Sequence, residues 1–145
     1  MKLTIDASVF VARFVEEDVF HEPCSHFIDA VRQDRLVVHA PVLLIAEVAG
    51  AVARIKKDHV RGDLAALHLR TYESLKIRQA DLAFGISAAA LASRHHLRGA
   101  DSHYVAVARE TRTTLITLDD ELLALDDAGV IAVMKPLDWL RQHSV

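Results

Sequence analysis

The sequence has little of what disulfide-rich, all-β or repetitive proteins are made of. A single cysteine, Cys24, excludes an intramolecular disulfide and a cysteine metal cluster. Five glycines and three prolines in 145 residues are too few for the many turns of an all-β chain. We find no internal repeat, low-complexity segment or Pro/Gly-rich linker, so the length predicts one domain spanning residues 1–145.

Membrane and export signals are also missing from the sequence. No apolar run reaches the roughly 18 residues of a membrane span. The start of the chain lacks the apolar region of a signal peptide, because the charge of Asp6 interrupts it. A single thiol suits a reducing compartment. We therefore expect a soluble, cytoplasmic protein without a membrane partner.

Neither sign of charge is in large excess. The chain has 17 Lys+Arg and 20 Asp+Glu, which gives a formal net charge of −3. Typical nucleic-acid-binding domains are basic overall, so composition alone does not indicate such a partner. The contents of hydrophobic residues (52%) and charged residues (26%) are those of an ordinary globular protein.

Short apolar runs alternate with longer helical patterns, which is typical of βα units around a parallel sheet. Strands are predicted at 2–6, 36–39, 76–78, 114–117 and 130–133. Helices are predicted at about 9–15, 22–34, 42–57, 60–74, 82–94, 101–110 and 120–126, with a last one starting at Pro136. Ser8 is the expected N-cap of the first helix.

Four acids fall at special places in this pattern. Asp6 ends the first strand and Asp119 follows the fourth, and ligands of open α/β sheets bind at the carboxyl ends of strands. Asp101 stands at a helix start, where the helix dipole favours negative charge. Glu47 lies within an apolar stretch, where a carboxylate is costly unless it is paired with a cation or metal.

Each acid also has a simpler interpretation. Asp6 could be a turn residue, Asp101 a helix cap, Asp119 a loop acid, and Glu47 could pair with Arg54 at an exposed helix edge. The joint arrangement favours a common site. Four gathered carboxylates repel one another, so a bound cation is needed to keep them ionised together. Oxygen ligands without cysteine or histidine suit Mg²⁺ or Mn²⁺.

Four segments, at 5–8, 46–48, 99–108 and 115–119, together resemble the motifs of PIN-domain nucleases in order and approximate spacing. The size and the α/β alternation are similar to those of VapC-type toxins of toxin–antitoxin modules. The resemblance implies a Rossmann-like α/β fold, with a five-stranded parallel sheet of order 3-2-1-4-5 flanked by helices. It also implies a metal-dependent endoribonuclease that uses Mg²⁺ or Mn²⁺.

The resemblance also implies roles for individual residues. The expected catalytic and metal-binding acids are Asp6, Glu47, Asp101 and Asp119, with Asp6 and Asp101 as primary ligands. Ser8 and Thr117 match the polar supporting positions and would orient the carboxylates by hydrogen bonds. Asp120 could share or replace the role of Asp119, although the Thr-x-Asp match favours Asp119 and leaves Asp120 as the cap of the following helix.

The implied partners are an RNA substrate, a cognate antitoxin and a second copy of the chain, bound through the helices at 42–57 and 60–74. Candidate RNA contacts are Arg13, Arg94 and Arg98, and Arg13 could instead bind the antitoxin. Phosphate contacts of this kind fix position rather than sequence. The basic cluster at 54–61 is better explained as a solvated helix end.

Three other functions remain open on the sequence. They are a PIN nuclease outside any toxin system, a catalytically silent PIN-like binding module, and a receiver-type signalling domain. The presence of all four acids argues against the catalytically silent module. The lack of a lysine at the end of a late strand argues against the receiver-type domain. Setting the four acids aside leaves 16 of the 20 acids against 17 Lys+Arg, so the acidity is concentrated in the predicted site.

Overall fold

The structure is a computed structural model that describes residues 1–143. The predicted domain of residues 1–145 includes 144 and 145, which lie outside the described residues. The strands are β1 (Lys2–Ile5), β2 (Val37–Pro41), β3 (Leu75–Arg78), β4 (Thr114–Ile116) and β5 (Val133–Met134). The helices are α1 (Ala7–Phe14), α2 (His21–Gln33), α3 (Leu43–Lys56), α4 (His59–Leu69), α5 (Leu82–His95), α6 (Gly99–Thr111), α7 (Asp120–Asp127) and α8 (Pro136–His143).

The five strands form one parallel sheet in the order β3-β2-β1-β4-β5, which confirms the predicted order and fold class. The chain places β2 on one side of β1 and β4 on the other, so the strand order switches at β1. Ile5 pairs with Ile116, the last residues of β1 and β4. The residues that follow them, Asp6 and Thr117, therefore emerge side by side at the carboxyl edge of the sheet.

Helix α6 crosses the centre of the sheet and contacts β1, β2 and β4. Its side chains Tyr104, Val105 and Val107 are fully buried, as is Ile5 of β1. Burial of each large apolar side chain contributes about 1.5–3 kcal/mol. Helix α1 packs against α2 and α3. This packing fixes the starts of α1 and α6, from which two of the predicted acids project.

Several predicted boundaries and one predicted cap differ from the structure. Asp6, not Ser8, caps α1, because the Asp6 carboxylate accepts the Ser8 N–H. Helix α6 begins at Gly99, two residues before its predicted start at Asp101, so Asp101 lies within its first turn. Helix α4 ends at Leu69, where turns at 70–74 lead into β3. β5 starts at Val133 because Val130 N–H instead bonds Leu125 O at the end of α7.

Among residues 1–143, no helix is long and apolar enough to cross a membrane.

Candidate active site

Asp6 lies between the end of β1 and the start of α1, with only 7% of its surface exposed. Its Oδ2 accepts hydrogen bonds from Ser8 Oγ (2.6 Å), Ser8 N (3.2 Å) and Thr117 Oγ1 (3.0 Å). No donor from residues 1–143 reaches Oδ1. Burial raises the pKa of Asp6 above its usual range, although these hydrogen bonds lower it in part. One oxygen is thus held by the protein and the other is left for a ligand.

Ser8 and Thr117 are themselves oriented by backbone groups. Leu118 N–H donates to Ser8 Oγ at 3.1 Å, and Asp119 N–H donates to Thr117 Oγ1 at 3.0 Å. Because each hydroxyl oxygen accepts from the backbone, its own proton is directed to Asp6. Ser8 and Thr117 therefore hold the Asp6 carboxylate in place, as their predicted supporting role requires.

Glu47 projects from α3 and is half-buried. Its Oε2 accepts the Tyr104 phenol at 2.5 Å, so Tyr104 of α6, and not Arg54, is its partner. Burial raises the pKa of Tyr104, which keeps the phenol protonated as the donor. Burial also raises the pKa of Glu47, and the charges of Asp6 and Asp101 raise it further, against the lowering effect of the Tyr104 hydrogen bond.

Asp101 and Asp119 are joined by one arginine. Arg98, the residue before α6, donates from Nε to Asp101 Oδ2 and from Nη2 to Asp119 Oδ2, both at 2.8 Å. The two acids belong to the starts of different helices, α6 and α7. Arg98 was predicted as an RNA contact, and in this structure its guanidinium is bound to two of the four predicted site acids.

Asp119 has a second task as the N-cap of α7. Its Oδ1 accepts the N–H groups of Glu121 (2.8 Å) and Leu122 (3.2 Å). Asp120, predicted as that cap, is instead the first helical residue, and its side chain is 89% exposed and 3.5 Å from Lys135 Nζ. The structure thus corrects the assignment of the cap and leaves Asp120 on the outside of the helix.

The structure brings Asp6, Glu47 and Asp101 within electrostatic reach of one another, since the charge of Asp101 raises the pKa of both other acids. Each of these three carboxylates has one oxygen without a protein donor from residues 1–143. Oxygen donors of this kind fit Mg²⁺ or Mn²⁺. In the described part of the chain, no three His, Cys, Asp or Glu side chains are already grouped as a metal cage. The donor set therefore fits the cation by its chemistry, without a closed cage.

The other two predicted RNA contacts lie elsewhere. Arg13 of α1 forms an ion pair with Asp29 of α2 at 2.9 Å. Arg94 of α5 lines a cleft between α5 and α6 with Phe84 and Leu91, and none of the four acids lines that cleft. Neither arginine contacts the acids in this structure.

Two further residues lie at the site but were not predicted from the sequence to belong to it. Tyr104 follows Asp101 by three residues on α6, and this helical spacing puts both on one face, which was the available signal. Arg54 was assigned to a solvated cluster, but it lines a groove of about 620 Å³ together with Glu47 and Ser8. Within residues 1–143, Arg54 has no ion-pair partner, and its Nη1 lies 3.2 Å from where a Cβ on Gly50 would be, so it folds back along α3.

Comparisons with solved structures give the same fold. Mycobacterium tuberculosis VapC20, described as a Sarcin-Ricin loop cleaving toxin, is 17% identical over 85% of this chain and 94% of its own, with a TM-score of 0.74. VapBC2 from Rickettsia felis, bound to a DNA fragment from its promoter, is 11% identical over 93% and 98%, with a TM-score of 0.66. A toxin–antitoxin complex from Klebsiella pneumoniae is 18% identical over 92% and 97%, with a TM-score of 0.63.

The sequence comparisons identify a family but no curated relative. A search of curated proteins gives no match. The family model of the PIN domain matches residues 3–128, most of the chain, and this range includes every one of the four predicted acids. The chain therefore belongs to the PIN-domain family.

Proposed function

We propose that the protein is a metal-dependent endoribonuclease and the toxin of a toxin–antitoxin pair. The observation that carries this proposal is the convergence of Asp6, Glu47 and Asp101, which come from three separate elements at one edge of the sheet. Membership of the PIN family and the similarity in fold to VapC toxins support the nuclease and toxin assignments. Four carboxylates, completed by Asp119, provide the negative charge that a divalent cation requires.

Each residue then has a defined part in the reaction. Asp6, Glu47 and Asp101 would hold Mg²⁺ or Mn²⁺ through their free oxygens, with Asp119 completing the set. The bound cation supplies an activated water and stabilises charge on the phosphate and the leaving oxygen. Ser8 and Thr117 fix the Asp6 carboxylate, and Tyr104 fixes Glu47. These hydrogen bonds orient the metal ligands, as supporting hydrogen bonds do in metal sites generally.

The groove beside Glu47 is the proposed path of the RNA strand. Small or apolar side chains and one further acid, Asp18, line the groove; the former are Ala7, Val11, Ala46, Ala51 and Leu118. The small side chains let a strand approach Glu47 closely. Arg54 is in this groove without an ion-pair partner from residues 1–143 and would bind a backbone phosphate next to the cleaved one. This contact would position the RNA without reading its sequence.

The proposed protein partners are an antitoxin and a second copy of the chain. A toxin–antitoxin complex among the structures of similar fold supports the antitoxin, which would block the site from the same groove. Exposed apolar side chains on α3 and α4, namely Ile55, Val60, Leu64 and Leu67, support dimer contact through these helices. Light scattering at micromolar concentration tests the dimer, and a monomeric mass contradicts it.

The nuclease proposal is tested by incubating purified, antitoxin-free protein with total RNA in Mg²⁺, Mn²⁺ or EDTA and mapping the cut ends. We expect discrete cuts with either metal and none in EDTA. The matched control is the Asp6→Asn variant purified in the same way, which excludes a contaminating nuclease. Cleavage that persists in EDTA, or equal cleavage by the variant, contradicts the proposal. Growth arrest on expression, relieved by a neighbouring gene product, tests the toxin assignment.

A further inference from the structure

Arg98 is the cation that already contacts the proposed metal ligands. Its two nitrogens each bond one carboxylate at 2.8 Å, Asp101 from the first turn of α6 and Asp119 from the N-cap of α7. Both bonds use Oδ2 of the acid. A single positive charge thus bridges two acids that are 18 positions apart in the sequence and that would otherwise repel each other.

We propose that Arg98 is a built-in counter-cation that competes with the divalent metal for Asp101 and Asp119. The inference rests on the proposed function, since it presupposes that these acids bind metal. With metal bound, Asp101 and Asp119 would hold it, and the guanidinium of Arg98 would move away from them. Arg98 therefore sets how much free metal the site needs, and it keeps the two acids together before the metal arrives.

The surroundings of Arg98 are those of a group that can leave. Its side chain is 67% exposed, whereas the side chains of Asp101 and Asp119 are 14% and 25% exposed. In the described structure, the two carboxylates are its only side-chain partners. Exposed ion pairs contribute little to stability, so a divalent ion can displace the guanidinium at small cost.

Arg78 shows what a structural arginine looks like in the same molecule. Its side chain is 30% exposed and bonds Glu110, Asp81 and the carbonyl of Gln79, and its guanidinium lies 4.7 Å from the ring centre of Phe84. These contacts hold Arg78 from several sides. Arg98 has no aromatic ring or carbonyl partner of this kind within residues 1–143, so its position depends on the two acids alone.

The backbone at Arg98 also leaves the side chain free to move. Arg98 is the N-cap of α6, but its side chain makes no capping bond to the helix. Movement of the guanidinium therefore breaks no contact that starts the helix. A released guanidinium remains at the rim of the acidic site, where a substrate phosphate has the opposite charge.

The inference is tested by titrating metal-free protein with Mn²⁺ in a calorimeter, without RNA. Arg98→Gln is expected to bind Mn²⁺ more tightly than the unchanged protein, on the order of tenfold, because two weak ion pairs no longer compete. Arg109→Gln is the matched control, since it removes another exposed positive charge, from the far end of α6, and should leave the affinity unchanged. An equal or weaker affinity of Arg98→Gln overturns the inference, because a merely structural arginine would lower metal affinity when lost.

A double-mutant comparison tests the route of the effect. In an Asp119→Asn background one partner of Arg98 is already neutral, so Arg98→Gln should tighten Mn²⁺ binding by only about threefold. A tenfold gain in Mn²⁺ affinity in this background as well would contradict the proposal that Arg98 acts by bridging Asp101 and Asp119. Circular dichroism and thermal unfolding establish that each variant is folded.

The unchanged protein separates this inference from the proposed function. If it binds Mn²⁺ but Arg98→Gln binds no more tightly, only the role of Arg98 is wrong. If it binds no Mn²⁺ and cuts RNA in EDTA, the metal mechanism is wrong, and the proposed competition between Arg98 and the metal is wrong as well.

Discussion

The two halves of the candidate site hold their carboxylates by different means. In the hydroxyl-held half, Asp6 and Glu47 accept hydrogen bonds from Ser8, Thr117 and Tyr104. In the arginine-held half, Asp101 and Asp119 accept from the guanidinium of Arg98. Neutral donors orient a carboxylate but leave its charge in place, whereas a guanidinium also cancels the charge.

This difference separates a permanent part of the site from an adjustable part. In the hydroxyl-held half Asp6 is buried and Glu47 half-buried, and their donors Ser8, Thr117 and Tyr104 are fixed by the fold, so this half is arranged for a cation before one binds. In the arginine-held half the exposed guanidinium of Arg98 neutralises two largely buried acids until a competing cation arrives. Metal affinity should therefore originate mainly in the hydroxyl-held half, and its regulation in the other.

The largest expected effect is the loss of the Asp6 charge. Asp6→Asn should lower kcat about a thousandfold or more, because a lost ligand removes several kcal/mol of charge stabilisation in the transition state. Asparagine is also a good N-cap, so α1 should persist. The measurement is single-turnover cleavage of an RNA fragment cut by the unchanged protein. Asp58→Asn, which changes the N-cap of α4, is the control, and a comparable loss there would show that capping rather than charge is responsible.

The next effect is the loss of the hydrogen bond that orients Glu47. Tyr104→Phe should reduce kcat by about 10- to 100-fold, the usual range when a residue supporting a metal ligand is removed. The ring stays buried, so the free energy of unfolding should fall by only about 1 kcal/mol. Steady-state cleavage and urea unfolding measure the two quantities. Tyr72→Phe, a buried tyrosine whose hydroxyl has no hydrogen bond from residues 1–143, is the control and should keep its activity.

The sequence predicted the fold well because the pattern that builds it is local. Apolar runs such as 114–117 alternate with helical segments, and short connections then favour a parallel sheet. Asp6 and Asp101 could be chosen because strand ends and helix starts are visible in the sequence. The boundaries that failed, at α1 and β5, depend on which neighbour takes a single backbone N–H.

The partners of the acids could not be predicted in the same way. Tyr104 lies 57 positions from Glu47, and Arg98 lies 21 positions from Asp119. Such pairs are decided by how α6 packs across the sheet, which no periodicity records. The same holds for Arg54, which belongs to a segment predicted to be a solvated helix end but whose side chain lines the groove with Glu47. The catalytic roles of the four acids stay predictions until variants are measured.

A smaller effect concerns stability and its dependence on pH. Burial raises the pKa of Asp6 in the folded state above its unfolded value, so its contribution to stability is present at low pH and is lost as pH rises through the folded pKa. In EDTA at neutral pH, Asp6→Asn should therefore be more stable than the unchanged protein by about 1 kcal/mol. Below the unfolded pKa of aspartate the difference should shrink.

Urea unfolding in EDTA between about pH 3 and pH 8, a range that extends below the unfolded pKa of aspartate, measures this difference. Addition of Mn²⁺ should stabilise the unchanged protein but not the variant. A stability gain that is the same at every pH would instead point to better hydrogen bonding by asparagine than by aspartate. Asp119→Asn provides the contrast from the arginine-held half, where the guanidinium already cancels the charge, so no comparable gain at neutral pH is expected.

The smallest expected effect concerns Arg54, the arginine that lines the groove beside Glu47. Arg54 has no carboxylate partner within residues 1–143, whereas Arg98 has two, so Arg54 is available for a phosphate without displacing anything. Arg54→Gln should weaken binding of a non-cleavable 2′-O-methyl RNA about threefold and reduce the salt dependence of that binding by about one phosphate contact. Fluorescence anisotropy at several salt concentrations measures both, and Arg61→Gln, an exposed position of α4 that does not line the groove, is the control. If Arg61→Gln has the same effect, RNA responds to overall charge rather than to the groove, and the path proposed for the strand is wrong.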